Sequence, residues 1–242
     1  GAGAQNSSSV TSTINITASN DTPVATAGAT LAYSENGSAA AIDTSITLSD
    51  ADDTQITGAT VTISSGFTTG DTLGFSTQNG ISGSYSSSTG VLTLSGSATV
   101  AQYQSALRTV TYSSSSEDPT STSASRTISW QVTDANSDGA GAQNSSAVTS
   151  TINLTASNDT PVATAGATLA YSENGSAAAI DNTIALSDAD DSQITGATVT
   201  LSSGLTSGDT LGFTTQNGIS GSYNSSTGVL TLSGSATVAQ YQ

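Results

Sequence analysis

The chain has 242 residues and a net charge of −16, with Arg108 and Arg126 as its only basic residues, and it lacks histidine, cysteine and methionine. This charge excludes nucleic acid and anionic membranes as expected partners, since both require a basic surface. The missing residue types remove the usual ligands of zinc, haem and iron–sulfur clusters and leave no disulfides. No apolar run reaches the ~20 residues of a membrane span, and no signal peptide is visible.

The chain repeats itself almost completely. Residues 1–104 recur as residues 139–242 without insertion, and eleven positions differ. A short polar run ending in Pro23 recurs at Pro161, and because proline interrupts both helices and central strands, it marks a seam between folded units. We therefore predict three parts. They are a closing strand of a preceding repeat (1–21), a complete repeat (22–159) and an incomplete second repeat (160–242).

Alternating apolar residues predict a series of short strands. In chain order these lie at residues 10–16, 24–33, 46–48, 59–63, 73–75, 81–85, 91–94, 110–112, 128–132 and 148–154. Asn79-Gly80 predicts a two-residue hairpin turn, and Glu35-Asn36-Gly37 predicts a turn after the strand at 24–33. The only helical pattern runs from an N-cap at Thr99 to Leu107.

Short strands and frequent turns predict an all-β chain of tandem antiparallel β-sandwiches, with one short helix per repeat. The strand around Trp130 is the most apolar, so Trp130 is expected in the core with Tyr112, Ile128 and Val132. The many serine, threonine, glycine and alanine residues are also typical of a flexible, sugar-coated stalk. The regular alternation of β-branched and aromatic residues favours the folded alternative.

Acidic residues are predicted to collect at the two ends of each sandwich. In a seven-strand sandwich successive turns alternate between the two ends. The loops Asp50–Asp53 and Asp134–Asp138 are therefore expected at the same end as Asn20-Asp21, which we call the near end. The candidate ligands there are Asn20, Asp21, Asp50, Asp52, Asp53 and Asp134. Any one of these alone is most simply a solvated turn residue. As a set they would repel one another without a cation, and the chain has no lysine.

A second set is expected where one repeat follows another. Its predicted members are Glu35, Glu117, Asp118, Asn158, Asp159, Asp188, Asp190 and Asp191. Because all of these side chains offer oxygen ligands, and Ca²⁺ takes six to eight such ligands, we expect calcium. Glu35, Asp159, Asp188 and Asp190 are predicted to ligate the ion, and Glu117, Asp118 or Asp191 to complete its shell.

Several motifs resemble cadherin repeats. These are Asn-Asp-Thr-Pro-Val at the seam, Ser34-Glu35-Asn36 after the first strand and Asp50-Ala51-Asp52-Asp53 after the second. The segments 90–96 and 103–112 are similar to the cadherin-like repeats of giant bacterial type I-secreted (RTX-type) adhesins. The resemblance covers the whole repeat and implies a cadherin-like or immunoglobulin-like Greek-key sandwich. The linker is shorter and less acidic than a cadherin linker, which implies fewer bound ions, one or two per junction.

The resulting expectation is a calcium-rigidified stalk of a giant secreted surface adhesin, acting in cell adhesion or biofilm, outside the cell. Its partners would be neighbouring identical repeats, and other domains would bind cell-surface or matrix ligands. One alternative is a self-assembling fibre, sheath or matrix protein. A carbohydrate-binding module is another, although it needs an exposed aromatic platform. An enzyme is not expected, because no histidine or lysine is present to act as a base.

The two ends of the sequence are complementary. Residues 1–18 form a closing strand, and the trailing repeat lacks the counterparts of residues 105–158. A sandwich without those strands would expose core residues and unpaired edges. We therefore expect the chain to be a window of a longer array, in which residues 1–18 pair with the trailing fragment of a preceding copy.

Overall fold

The computed structural model describes residues 1–136 and 139–242, so Ser137 and Asp138 of the predicted acidic loop lie outside the described residues. The chain forms two compact units, Gly1–Thr155 and Ala156–Gln242. It is mostly β-structure with little helix, as predicted. In the described part of the chain, neither helix is long and apolar enough to cross a membrane.

Unit 1 contains eleven strands and one helix within its described residues. The strands are β1 (Val24–Thr26), β2 (Thr30–Ser34), β3 (Ala40–Ala41), β4 (Thr47–Ser49), β5 (Gln55–Ser65), β6 (Asp71–Gly74), β7 (Ser82–Ser86), β8 (Val91–Thr99), β9 (Thr111–Ser114), β10 (Ser125–Asp134) and β11 (Val148–Thr155). A six-stranded sheet has the order β2-β11-β10-β5-β8-β7, a three-stranded sheet has the order β3-β9-β6, and β1 pairs with β4. All pairs are antiparallel except β11 with β2, which is parallel.

The local sequence explains these elements. Every second residue of β10 is buried, because successive side chains of a strand point to opposite faces of the sheet. Asn79 and Gly80 both have positive φ and close the predicted two-residue hairpin. The helix α1 (Val100–Leu107) begins at the predicted N-cap, where Thr99 and Gln102 form a capping box.

The six-stranded and three-stranded sheets contribute to one hydrophobic cluster. Trp130, Tyr112 and Ile128 are fully buried, and Val132 is 1% exposed, so the prediction that these four residues belong to the core is confirmed. The Tyr112 ring packs edge-on against Tyr33, with ring centroids 5.0 Å apart. Trp130 therefore contributes to packing and offers no exposed aromatic platform.

A buried ion pair joins the two sheets. Arg126 lies on the inward face of β10, and its Nε donates to Asp71 Oδ2 of β6 at 2.7 Å, with both side chains fully buried. Arg126 Nη2 also donates to Thr68 Oγ1 at 2.8 Å and Pro119 O at 2.9 Å. The Tyr112 hydroxyl donates to Asp71 Oδ1 at 2.6 Å. The buried charge of the Arg126 guanidinium is therefore neutralised by the Asp71 carboxylate, and its other N–H groups have hydrogen-bond acceptors.

A second buried carboxylate, Asp43, fixes the chain between β1 and β2. Its oxygens accept hydrogen bonds from the N–H groups of Gly28 and Ala29, from Ser45, and from Ser150 Oγ at 2.7 Å. Burial by itself raises the pKa of Asp43, but the hydrogen bonds from Ser45, Gly28, Ala29 and Ser150 together outweigh it and hold the pKa well below its usual value.

Two predicted strands differ from the structure. The strand expected at 24–33 is two strands, because Gly28 and Ala29 donate to Asp43 instead of to a neighbouring strand. No strand precedes Val24 in the described chain, so the strand predicted at 10–16 is wrong for this structure. Its sequence counterpart β11 fills the position between β2 and β10. Whether residues 1–21 close another repeat stays a prediction.

Unit 2 contains fewer strands from nearly the same sequence. Its described elements are β12 (Val162–Thr164), β13 (Ala185–Ser187), β14 (Gln193–Thr200), β15 (Ser220–Asn224), β16 (Val229–Thr237) and the helix α2 (Val238–Tyr241). β14, β16 and β15 form a three-stranded sheet, and β12 pairs with β13. Residues 168–172 and 209–212 match β2 and β6 letter for letter but are not strands, since the counterparts of their partners β11 and β9 are absent from unit 2.

Candidate cation-binding sites

Three carboxylates converge at one end of unit 1. Asp50 and Asp53 lie in the loop between β4 and β5, and Asp134 ends β10. One oxygen from each lies within 4.8 Å of the others. Asp53 is 4% exposed and Asp134 is fully buried. Two unit charges 4.8 Å apart repel by roughly 3 kcal/mol at an effective dielectric constant of about 20.

The seam residue Asn20 completes this group, which we call the near-end group. Asn20 is 5% exposed, and its Nδ2 donates to Asp134 Oδ2 at 2.8 Å and to Gly141 O at 3.0 Å. These two acceptors fix the orientation of the amide. Asn20 Oδ1 is buried and has no hydrogen-bond partner. A buried acceptor beside the Asp134 carboxylate is the arrangement that a bound cation would satisfy.

Asp21 and Asp52 lie at the exposed margin of the near-end group. The Asp21 N–H donates to Asp52 Oδ2 at 3.0 Å. This hydrogen bond is the main reason that the pKa of Asp52 is lowered. Burial, together with the neighbouring Asp52 carboxylate, raises the pKa of Asp50. The pKa values of these two neighbouring carboxylates shift in opposite directions, because the negative charge of one disfavours ionisation of the other.

Unit 1 brings a second carboxylate pair together. Oxygens of Glu35, which is 7% exposed, and of the exposed Glu117 lie within 4.8 Å of each other. Asn36 Nδ2 donates to Glu117 Oε2 at 3.4 Å. Asp118 Oδ1 accepts a hydrogen bond from Thr120 Oγ1 at 3.4 Å within its own turn, and its place in the predicted ligand shell stays a prediction.

In unit 2, Asp188, Asp190 and Asp191 form a group whose oxygens lie within 4.8 Å of one another. The Asp159 N–H donates to both oxygens of Asp190 at 3.3 Å. Asn158 lines a surface pocket with Asp188 and Asp191. Partial desolvation, together with a hydrogen bond to Asp188 and the charge of Asp191, raises the pKa of Asp190. The prediction that these residues share an ion with Glu35 and Glu117 stays a prediction.

The oxygen ligands of these groups suit a hard metal cation. Arg126 binds Asp71, and Arg108 Nε donates to the Ile46 carbonyl, so within the described residues neither arginine pairs with an acidic group of these sites. All candidate ligands are carboxylate or amide oxygens. The supporting contact from Gln143, whose N–H donates to Asp134 Oδ1 at 2.8 Å, was not predicted, because no periodic pattern marks that loop.

These features define a mostly β protein with an internal sequence repeat and with acidic groups that could hold metal ions. No family model matches the chain. Part of the chain is similar to halomucin of Haloquadratum walsbyi (strain DSM 16790 / HBSQ001), with 39% identity over 113 residues, which is 44% of this chain and 1% of halomucin. The chain thus spans about one hundredth of that relative, which must be on the order of ten thousand residues long.

Proposed function

We propose that this chain is a segment of calcium-binding β-sandwich repeats in the stalk of a very long surface adhesin. The role is structural and not enzymatic. The near-identity of residues 1–104 and 139–242 and the partial similarity to a very long protein support a repeat array. The similarity to halomucin and the strongly acidic, lysine-free composition favour a location outside the cell or on its surface.

The proposed unit is a cadherin-like Greek-key sandwich. Its support is the hydrophobic core that the six-stranded and three-stranded sheets share. Trp130 of the six-stranded sheet and Tyr112 of the three-stranded sheet are both buried in that core. The burial of Trp130 counts against a carbohydrate-binding module with that residue in its platform.

The observation that carries the calcium proposal is the near-end group. Three converging carboxylates and the unpartnered Asn20 Oδ1 offer only oxygen ligands. A divalent cation would turn the mutual repulsion of Asp50, Asp53 and Asp134 into attraction. It would also tie the seam before β1 to the end of β10, which is how bound ions would stiffen each repeat.

Thermal unfolding with calcium and with chelator, at constant ionic strength, tests this proposal. Trp130 is the only tryptophan and lies in unit 1, so its fluorescence reports that unit alone. Calcium at about 100 times its dissociation constant should stabilise unit 1 by about 2.7 kcal/mol. Asp134→Asn should abolish the shift, while Asp209→Asn, an equal loss of charge outside all three acidic groups, should preserve it. Equal melting temperatures of unit 1 in calcium and in chelator would refute the calcium proposal.

A self-assembling fibre is the second candidate. Its specific support is a set of apolar side chains that remain largely exposed in the described chain, including Val10, Ile14 and Ile16 at 94%, 84% and 89%. Sedimentation at increasing protein concentration separates a fibre-former from a monomeric stalk segment.

A further inference from the structure

The turn that joins β15 to β16 carries a short sequence motif that the proposed function does not use. The motif is Asn224-Ser225-Ser226, and Asn224 is the last residue of β15. An asparagine followed two residues later by serine or threonine is the acceptor motif for N-linked glycans on exported proteins. The serine- and threonine-rich chain contains several such motifs, so the local structure must decide between them.

The folded turn already brings the two essential groups of this motif together. The Ser226 hydroxyl donates to Asn224 Oδ1 at 2.6 Å, and the Ser226 N–H donates to the same oxygen at 3.0 Å. All three residues of the motif are exposed. Within the described residues, no side chain or carbonyl accepts a hydrogen bond from Asn224 Nδ2. The amide is therefore fixed at its oxygen and accessible at its nitrogen.

Other asparagines with the same motif are held differently. Asn20 is buried, and its Nδ2 already donates to two acceptors. Asn144 Oδ1 accepts a hydrogen bond from Thr133 Oγ1 at 2.6 Å, and Asn158 Nδ2 donates to Asp159 O at 2.8 Å. In the described part of the chain, a hydrogen bond between the asparagine of a motif and its own hydroxyl occurs at Asn224 alone.

The preceding repeat provides a natural control. Ser86 occupies the equivalent position at the end of β7, so unit 1 lacks this motif although the rest of the turn is identical. Residues 87–89 of that turn are exposed in unit 1, where β7 and β8 belong to a six-stranded sheet. The exposure of the turn is therefore a property of the repeat and does not depend on how many strands surround it.

We propose that Asn224 carries an N-linked glycan. In the transfer, Asn224 Nδ2 forms a bond to the anomeric carbon of a sugar held on a lipid phosphate. The bond from that carbon to the phosphate oxygen breaks, and the lipid phosphate leaves with the bonding electrons. Nδ2 gives one proton to the transferring enzyme. The inference rests on the proposed location outside the cell, but not on calcium or adhesion.

The position of Asn224 gives the glycan a specific effect. β15 is the edge strand of the sheet β14-β16-β15, as β7 is of the six-stranded sheet in unit 1. An edge strand presents main-chain groups that can pair with another chain. A bulky, hydrophilic glycan at the end of β15 hinders that approach. The glycan thus favours separate stalks over lateral association through this edge.

Mass spectrometry of the protein isolated from the outer surface of the cells that produce it tests the modification. Chymotrypsin cleaves after tyrosine and leucine, so Tyr223 and Leu230 define a peptide of residues 224–230. We expect this peptide to carry a sugar mass, with fragment ions that place the sugar on Asn224. The peptide of residues 86–92, which differs only at Ser86, should carry no N-linked sugar.

Two outcomes of this experiment would overturn the inference. In the first, residues 224–230 from the surface protein are recovered only unmodified or with sugar confined to hydroxyl groups, which leaves the proposed location intact. In the second, the protein is found only inside the cells, which overturns the inference together with the proposed location.

Variants produced in the same cells test the motif and its effect. Ser226→Ala keeps Asn224 but removes the hydroxyl and should lose the glycan, whereas Thr227→Ala, one residue outside the motif, should keep it. Ser86→Asn should gain a glycan on unit 1, with Trp130 fluorescence showing that this unit stays folded. In sedimentation, Ser226→Ala should associate at a several-fold lower concentration than Thr227→Ala. A glycan retained in Ser226→Ala or missing from Ser86→Asn, or equal association of the two alanine variants, would contradict the proposal.

Discussion

The buried ion pair between Arg126 and Asp71 offers a sharp test of the fold. Arg126→Met keeps a side chain of similar length but leaves the buried Asp71 carboxylate without its cation. Asp71 would retain the Tyr112 hydroxyl and the Thr68 N–H as donors. Breaking a fully buried pair in this way costs about 3–5 kcal/mol. That is a large part of the roughly 5–15 kcal/mol that stabilises a typical domain.

Urea unfolding followed by Trp130 fluorescence measures this loss in unit 1. Arg108→Met is the matched control, because it removes the same charge and a single hydrogen bond, from Arg108 Nε to Ile46 O at 2.8 Å. It should cost about 1 kcal/mol. Adding Asp71→Asn to Arg126→Met should recover part of the loss, since the stranded charge disappears. If Arg126→Met were no more destabilising than Arg108→Met, the reasoning from burial would be refuted.

Three further predictions concern the core. Trp130→Ala should cost about 3–5 kcal/mol in unfolding followed by circular dichroism, by leaving a large cavity; a loss below about 1 kcal/mol would contradict its core role. Because the pKa of Asp43 is lowered by folding, its ionised form stabilises the folded state. This stabilisation is complete above the unfolded-state pKa of about 3.9 and is lost as the pH falls through the folded-state pKa. Asp43→Asn should therefore flatten the acid side of the stability profile, and an unchanged acid side would count against the assigned hydrogen bonds. Burial raises the pKa of Tyr103 to about 12. The stability from this shift is complete below the unfolded-state pKa of about 10 and falls by about 2–3 kcal/mol as the pH rises to the folded-state value. Tyr103→Phe should remove that alkaline loss, and an identical alkaline profile would refute it.

Periodicity predicted most strands of unit 1, and its signal is clearest where every second residue is buried, as in β10. It could not predict which strands form in unit 2. Residues 168–172 and β2 have one sequence but only β2 is a strand, and residues 209–212 relate to β6 in the same way. A strand is stabilised by cross-strand neighbours more than by its own residues. Its presence therefore depends on partners that lie far away in sequence.

The acidic loops were predicted to reach the ends of the unit, and the structure brings Asp50, Asp53, Asp134 and Asn20 together. Asp118 accepts a hydrogen bond from Thr120 in its own turn, and its role as a ligand stays a prediction. The role of Arg126 was missed, although its position carried a signal.

That signal is the alternation of inward-facing and outward-facing residues along β10. Arg126 shares the inward face of β10 with Ile128 and Trp130, so a buried anion had to face it. Asp71 likewise shares a face with Leu73. Neither residue type nor spacing shows that these two particular side chains meet, because they are 55 residues apart.

A crystal grown in calcium tests the central claim most directly, by anomalous scattering at the near-end group. The account predicts a calcium peak with ligand distances of about 2.3–2.6 Å to oxygens of Asp50, Asp53 and Asp134, and with Asn20 Oδ1 turned to it. The same crystal form of Asp134→Asn should show a weaker peak or none. Ordered water alone among these oxygens, at millimolar calcium in the natural chain, would contradict the account.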